Sequence, residues 1–218
     1  MTIAPARWAV IAALLLSMAG SVQSQQPRIA GQDQVASDMA RRVRQAIRTD
    51  PIAPAVAPKG ADVTIVLFSD YNCPYCRKVH PALQALLRED PKVRLLYRDW
   101  PIFGGASSEA ARVAIASEFQ GRHAAFNDAL MASQGKLDSA GIRAAANRAG
   151  VDWTRLQKDM AARRQDIDAL LGRSDRYARM LGLTGTPGLL IGPYLLPGAV
   201  GVAELRKVVA AVRAKPEG

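Results

Sequence analysis

An α/β fold interrupted by a block of helices is expected from three features of this 218-residue chain. Two apolar runs rich in β-branched residues, Val63–Phe68 and Val93–Tyr97, flank one amphipathic helix, which implies a parallel strand pair with a right-handed crossover. An alanine-rich stretch over 105–182 is punctuated by glycines and has helical composition. A short hairpin and a last amphipathic helix then occupy 183–218.

Taken in order, Arg7 precedes the apolar run Trp8–Leu16, which is followed by small residues and a cleavage point after Ser24. That is the layout of a secretory signal peptide over 1–24, and the run is shorter than the roughly 20 residues a spanning helix needs. Residues 25–60 supply an amphipathic helix, with Val35, Met39, Val43 and Ile47 recurring every fourth residue among arginines, and then an extended connector spaced by Pro51, Pro54 and Pro58. Residues 61–104 form the first half of the fold. Val63–Phe68 reads as a strand covered on both faces; Val79, Leu83, Leu86 and Leu87 stripe the helix that follows, and Pro81 inside it implies a kink. Val93–Tyr97 is the second strand. Helices are expected near 107–119, 122–133, 139–149, 153–163 and 165–181. Leu189–Ile191 and Tyr194–Leu196 make the hairpin around Gly192-Pro193, and the final helix buries Val202, Leu205, Val208, Val209 and Val212.

The formal net charge is +10; residues 1–24 carry Arg7 alone, so their removal leaves +9. The arginines are scattered over amphipathic helices, and no basic stretch is interleaved with aromatics. A solvated surface with no nucleic-acid partner follows.

Cys73-Pro74-Tyr75-Cys76 holds the only two cysteines, at a strand-to-helix junction. At the start of a helix the first sulfur meets unpaired backbone N–H groups and the positive end of the helix dipole, which favours thiolate over thiol. Cys73 is therefore expected to be the nucleophile. Cys76, one turn in and more shielded, would resolve a mixed disulfide. Two other readings of the pair stay open. A structural disulfide closing so short a loop stabilises little, and a structural zinc needs four ligands, where this chain has two cysteines, His80 and His123. In an oxidising compartment, a chain with no spare cysteine would act on the cysteines of other proteins.

Ser69-Asp70-Tyr71-Asn72-Cys73-Pro74-Tyr75-Cys76, Tyr97-Arg98-Asp99-Trp100-Pro101 and Gly185-Thr186-Pro187-Gly188 together resemble the DsbA-like exported thiol-disulfide oxidoreductases over residues 61–213. The CPYC sequence and the leading helix look more like the suppressor-of-copper-sensitivity C proteins and related exported DsbA-like proteins than like DsbA itself. The resemblance implies a thioredoxin fold with a helical domain inserted between its two halves. It also implies a cis Thr186-Pro187 bond beside the dithiol, where the loop's backbone pairs with a bound client strand. No cofactor is implied. The implied partners are cysteine-containing exported client proteins and a membrane redox partner, and the implied location is the periplasm.

Two departures stand out. DsbA has histidine between its cysteines where this chain has Tyr75, so a potential less oxidising than about −120 mV is expected. Family members commonly carry a glutamate as proton acceptor where this chain has Leu67, with Asp70 or a water as possible substitutes. Asp70 is also a candidate cap for the active-site helix, His80 a candidate near the thiols, and Arg98 with Asp99 a candidate local ion pair. Three functions remain: an oxidase for exported clients, an isomerase or reductase kept reduced by its membrane partner, and a copper or zinc carrier. An isomerase would use a homo-oligomer formed through residues 33–50, whose narrow apolar stripe the connector would hold away from the fold.

Overall fold

The computed structural model describes residues 32–215, and the leader expected over 1–24 lies outside the described residues. Helix α1 (Gln32–Arg48) leads into β1 (Ala55–Val56), β2 (Val63–Ser69), α2 (Pro74–Glu89) and β3 (Val93–Asp99). Five helices follow before the chain re-enters the sheet: α3 (Gly105–Ser117), α4 (His123–Met131), α5 (Ser139–Arg148), α6 (Trp153–Ala162) and α7 (Arg164–Met180). The hairpin β4 (Gly188–Ile191) and β5 (Tyr194–Pro197) and helix α8 (Val202–Ala214) complete the fold. Pro81 lies inside α2.

The sheet has the order β1-β3-β2-β4-β5. β2 and β3 pair in parallel from Val63↔Val93 to Ser69↔Asp99, and β4 lies antiparallel on the other side of β2. Alternation along the pleat sends successive residues to opposite faces and builds two cores. Ile65, Leu67, Leu95 and Tyr97 face α2 and α8, packing on Val79, Leu83, Leu205 and Val209. Val66, Phe68 and Leu96 face the inserted helices through Ala110, Val113, Ala114 and Phe126. Ala110, Ala111, Ala114 and Ala116 of α3 are buried, and their small side chains let α4, α5 and α6 pack close to it.

The N-terminal connector is a correction to the sequence reading. It does not hold α1 away from the fold: Met39 is 58% exposed, but Ile47 is fully buried and Val43 packs on the core. Ala55–Val56 adds an antiparallel edge strand to β3. Arg98 is also reassigned. It is 0% exposed and donates from Nη1 to Asp50 Oδ2 at 2.8 Å and from Nη2 to the Ile47 carbonyl at 2.6 Å. Arg173 of α7 reaches the same carboxylate at 2.7 and 3.1 Å. A local pair with Asp99 does not form because neighbours on a strand point to opposite faces.

Candidate active site

The loop between β2 and α2 is held by its own side chains. Asp70, 1% exposed, accepts at Oδ1 from the Asn72 backbone N–H and the Ser107 hydroxyl, both at 2.7 Å. Its Oδ2 accepts from the backbone N–H groups of Ile102 at 2.7 Å and Phe103 at 3.0 Å. Asp70 therefore ties the active-site loop to the loop after β3, and it is not the helix cap expected from sequence. The cap position belongs to Cys73, and no side chain caps the helix there. Asn72 extends the latch, donating to Ser107 Oγ at 3.1 Å and accepting from the Leu137 N–H at 2.7 Å. Arg77 donates to the Tyr71 carbonyl at 2.9 Å and to the Gly135 carbonyl. The sequence reading singled out neither Asn72 nor Arg77; Ser107, Leu137 and Gly135, which they bond, lie dozens of residues away, and a polar residue flanking the motif was the only available signal.

Both cysteines are free thiols and both are 1% exposed. Exposure therefore does not separate them as expected; hydrogen bonding does. In its thiol form Cys73 Sγ donates to the Thr186 carbonyl at 3.2 Å, a bond the thiolate cannot make. The Thr186-Pro187 peptide bond is cis, as the resemblance implied. The Cys76 thiol, acting as donor, lowers the Cys73 pKa to about 6 against the opposing effect of burial, with help from Thr186 and the backbone N–H groups of Cys76 and Tyr75. Cys76 is pushed far up, first by that same shared bond and then by burial. The pair thus holds one thiolate and one thiol at neutral pH.

Two consequences are measurable. Alkylation of Cys73 in the reduced protein should titrate with a midpoint near pH 6, read from iodoacetamide rates. Because the folded pKa is depressed, the thiolate adds stability to the reduced form above the unfolded value of about 8.5 and loses it as pH falls through 6. Reduced protein should therefore gain stability over oxidised protein between pH 6 and about 8.5. A pH-independent difference would remove this account.

The remaining sequence candidates lie elsewhere. His80 sits 3.2 Å from Asp128, which also accepts from Gln84 at 3.0 Å, so these residues tie α2 to α4. Leu67 pairs with Tyr97 in the apolar core and offers no proton acceptor. Among the described residues no three His, Cys, Asp or Glu side chains gather at metal-binding spacing.

The thioredoxin family profile matches residues 54–211. The chain belongs to the thioredoxin family. A thioredoxin-like oxidoreductase from Silicibacter pomeroyi DSS-3 is 41% identical, covers 78% of this chain and 98% of its own, and superposes with a TM-score of 0.74. The thiol-disulfide exchange protein alpha-DsbA2 from Wolbachia pipientis is 27% identical over 85% of this chain and all of its own, with a TM-score of 0.76. The catalytic domain of Proteus mirabilis ScsC is 28% identical over 82% of this chain and 98% of its own, with a TM-score of 0.74. These are DsbA-like oxidoreductases, the family expected from sequence, and the thioredoxin fold expected with it is the observed one. Fold and neighbours are those of an oxidoreductase enzyme. The chain spans about a quarter of the length of the curated relatives it matches: a sodium/proton antiporter from Salinispora tropica is 31% identical over 175 residues, 74% of this chain and 25% of that protein.

Proposed function

We propose that this protein is an exported thiol-disulfide oxidoreductase that donates its disulfide to cysteine-containing client proteins, with Cys73 attacked by the client and Cys76 as its partner. The observation that carries the oxidase direction is the depressed Cys73 pKa, about 6. A stabilised thiolate is a good leaving group and favours the reduced form, so the disulfide is readily given up. A client thiolate attacks Cys73 Sγ, the Cys73–Cys76 bond breaks, and Cys76 takes the electron pair. A second client thiolate then attacks the client sulfur, a client disulfide forms, and Cys73 leaves as thiolate. Thr186 and Pro187 form the client-facing loop in this reading, supported by the bond from Cys73 to the Thr186 carbonyl. Reoxidation falls to a membrane partner. The apolar run Trp8–Leu16 behind Arg7 supports export to the periplasm.

An oligomeric isomerase is the second reading, favoured by the exposed Met39 on the outer part of α1. Trapping the thiol state in native cells tests both. Oxidised Cys73 and Cys76 support the oxidase; reduced cysteines, with light scattering that shows an assembly lost in Met39→Lys, overturn it in favour of the isomerase.

A further inference from the structure

Within the exchange reading above, a client segment that brings its cysteine to Cys73 must first meet the surface around the dithiol, and that surface is unevenly charged. Residues 132–138 join α4 to α5 in the helical insertion, about sixty residues after the redox motif. In the fold they lie against it. The Asn72 side chain accepts from the Leu137 N–H at 2.7 Å, and the Arg77 guanidinium bridges the Tyr71 carbonyl, at 2.9 Å, and the Gly135 carbonyl. Lys136 stands between these two tethered residues, so its backbone is held beside the residues just before Cys73 while its side chain is exposed.

Lys78 reaches the same rim from α2. It is exposed, three residues after Tyr75 and four after Pro74, and therefore shares a helix face with the two motif residues that are themselves exposed.

The acids of the neighbouring elements do not answer these charges. Asp70 and Asp99 are buried, and Asp70 already accepts four hydrogen bonds. Asp138 caps α5 by accepting from the Gly141 N–H at 2.7 Å, and Glu109 accepts from the Ser139 hydroxyl at 2.7 Å. Asp128 is engaged by His80 and Gln84. Neither Lys78 nor Lys136 makes an ion pair or a side-chain hydrogen bond among the described residues. Arg77 meets two carbonyls, which carry no net charge, and its Nε is buried without a partner. Cations of one sign gathered around a reaction site raise the local concentration of oppositely charged partners and orient their approach.

We infer that Lys136 of the insertion turn, together with Lys78 and Arg77, forms a cationic rim that selects client segments carrying Asp or Glu beside the reacting cysteine. The client carboxylates pair with the ammonium groups as the cysteine approaches Cys73. Lys136 sets specificity and takes no part in bond exchange. The helical insertion thereby contributes to client choice although both cysteines belong to the other part of the fold.

The test is oxidation of model peptides by the oxidised full chain, with peptides of equal length whose paired cysteines are flanked by glutamate, by glutamine or by lysine. At low salt kcat/KM for the glutamate peptide should exceed that for the lysine peptide by about tenfold, since three charges act and an exposed pair is worth up to a few-fold each. Sodium chloride at about 0.5 M should remove most of that advantage. Lys78→Glu combined with Lys136→Glu should move the glutamate-to-lysine ratio by about tenfold or more toward the lysine peptide, and should leave the glutamine peptide within about twofold of its wild-type rate. Both lysines are exposed, so the exchange leaves the core untouched, and comparing one peptide between the two proteins cancels the intrinsic reactivity of its thiols. An unchanged ratio in the double variant would overturn the rim. A wild-type protein that oxidises none of the three peptides would instead overturn the exchange reading, and the rim with it.

Discussion

Cys76→Ser accumulates mixed disulfides with client proteins, whereas Cys73→Ser accumulates none. The two sulfurs are equally buried, so the difference rests on charge. A thiol with a pKa of about 6 is roughly nine-tenths thiolate at pH 7, against a few per cent for an ordinary cysteine. Cys76, raised far above that by the shared bond and by burial, contributes almost no thiolate. Its replacement by serine leaves a hydroxyl that still donates to Cys73 but cannot displace a client: the Cys73 thiolate attacks a client disulfide, one client sulfur leaves as thiolate, and the mixed disulfide persists. Non-reducing electrophoresis of both variants after exposure to disulfide-containing clients gives the answer, and equal trapping would remove the assignment of roles.

Asp50→Ala lowers stability by about 3–5 kcal/mol, the cost of leaving one buried charge without its partner. Asp50 is 8% exposed, Arg98 is fully buried, and their bond is what makes the burial of Arg98 tolerable. Burial alone pushes the Asp50 pKa up; the bonds from Arg173 and Arg98 more than reverse it, so the folded pKa lies below the ordinary value. Stability from this site is therefore present above the usual carboxylate range and is lost as pH falls through the depressed folded pKa. For a chain of this size the midpoint of thermal unfolding should fall by about 10 °C. Replacing Asp50 and Arg98 together with apolar residues should cost far less than either change alone. The surface provides the contrast: Arg213 reaches Asp62 and Asp90 with bonds of 2.7 and 2.9 Å, yet its loss should cost under about 1 kcal/mol because solvent screens it. A loss below 1 kcal/mol for Asp50→Ala would show that Arg98 finds another partner or water.

Local pattern carried much of the fold. Val63–Phe68 has to be a strand covered on both faces, and the observed β2 extends it by one residue. The glycine-punctuated helical block was legible because glycines with positive φ, such as Gly121 and Gly150, end helices where a side chain would strain the backbone. The connector was misread because proline spacing describes local extension only. Whether Ala55–Val56 floats or pairs with β3 depends on a free sheet edge formed by residues 40 positions later.

The chain by itself determined that Cys73 and Cys76 lie one helical turn apart at a helix start, since C-x-x-C spacing and the Pro74 that opens the helix are local properties. Only the tertiary structure decided how the two sulfurs differ. Both are covered, and their opposite pKa shifts come first from the hydrogen bond they share; Thr186, more than a hundred residues away, adds to the lowering of Cys73. The same holds for the carboxylates. In sequence Asp70 and Asp99 are two acids near strand ends; in the fold one meets four donors and the other meets unpartnered buried groups, because loops and helices distant in sequence close around each differently. Hydrogen-bond satisfaction is a property of the assembled surroundings, and residue type alone does not encode it.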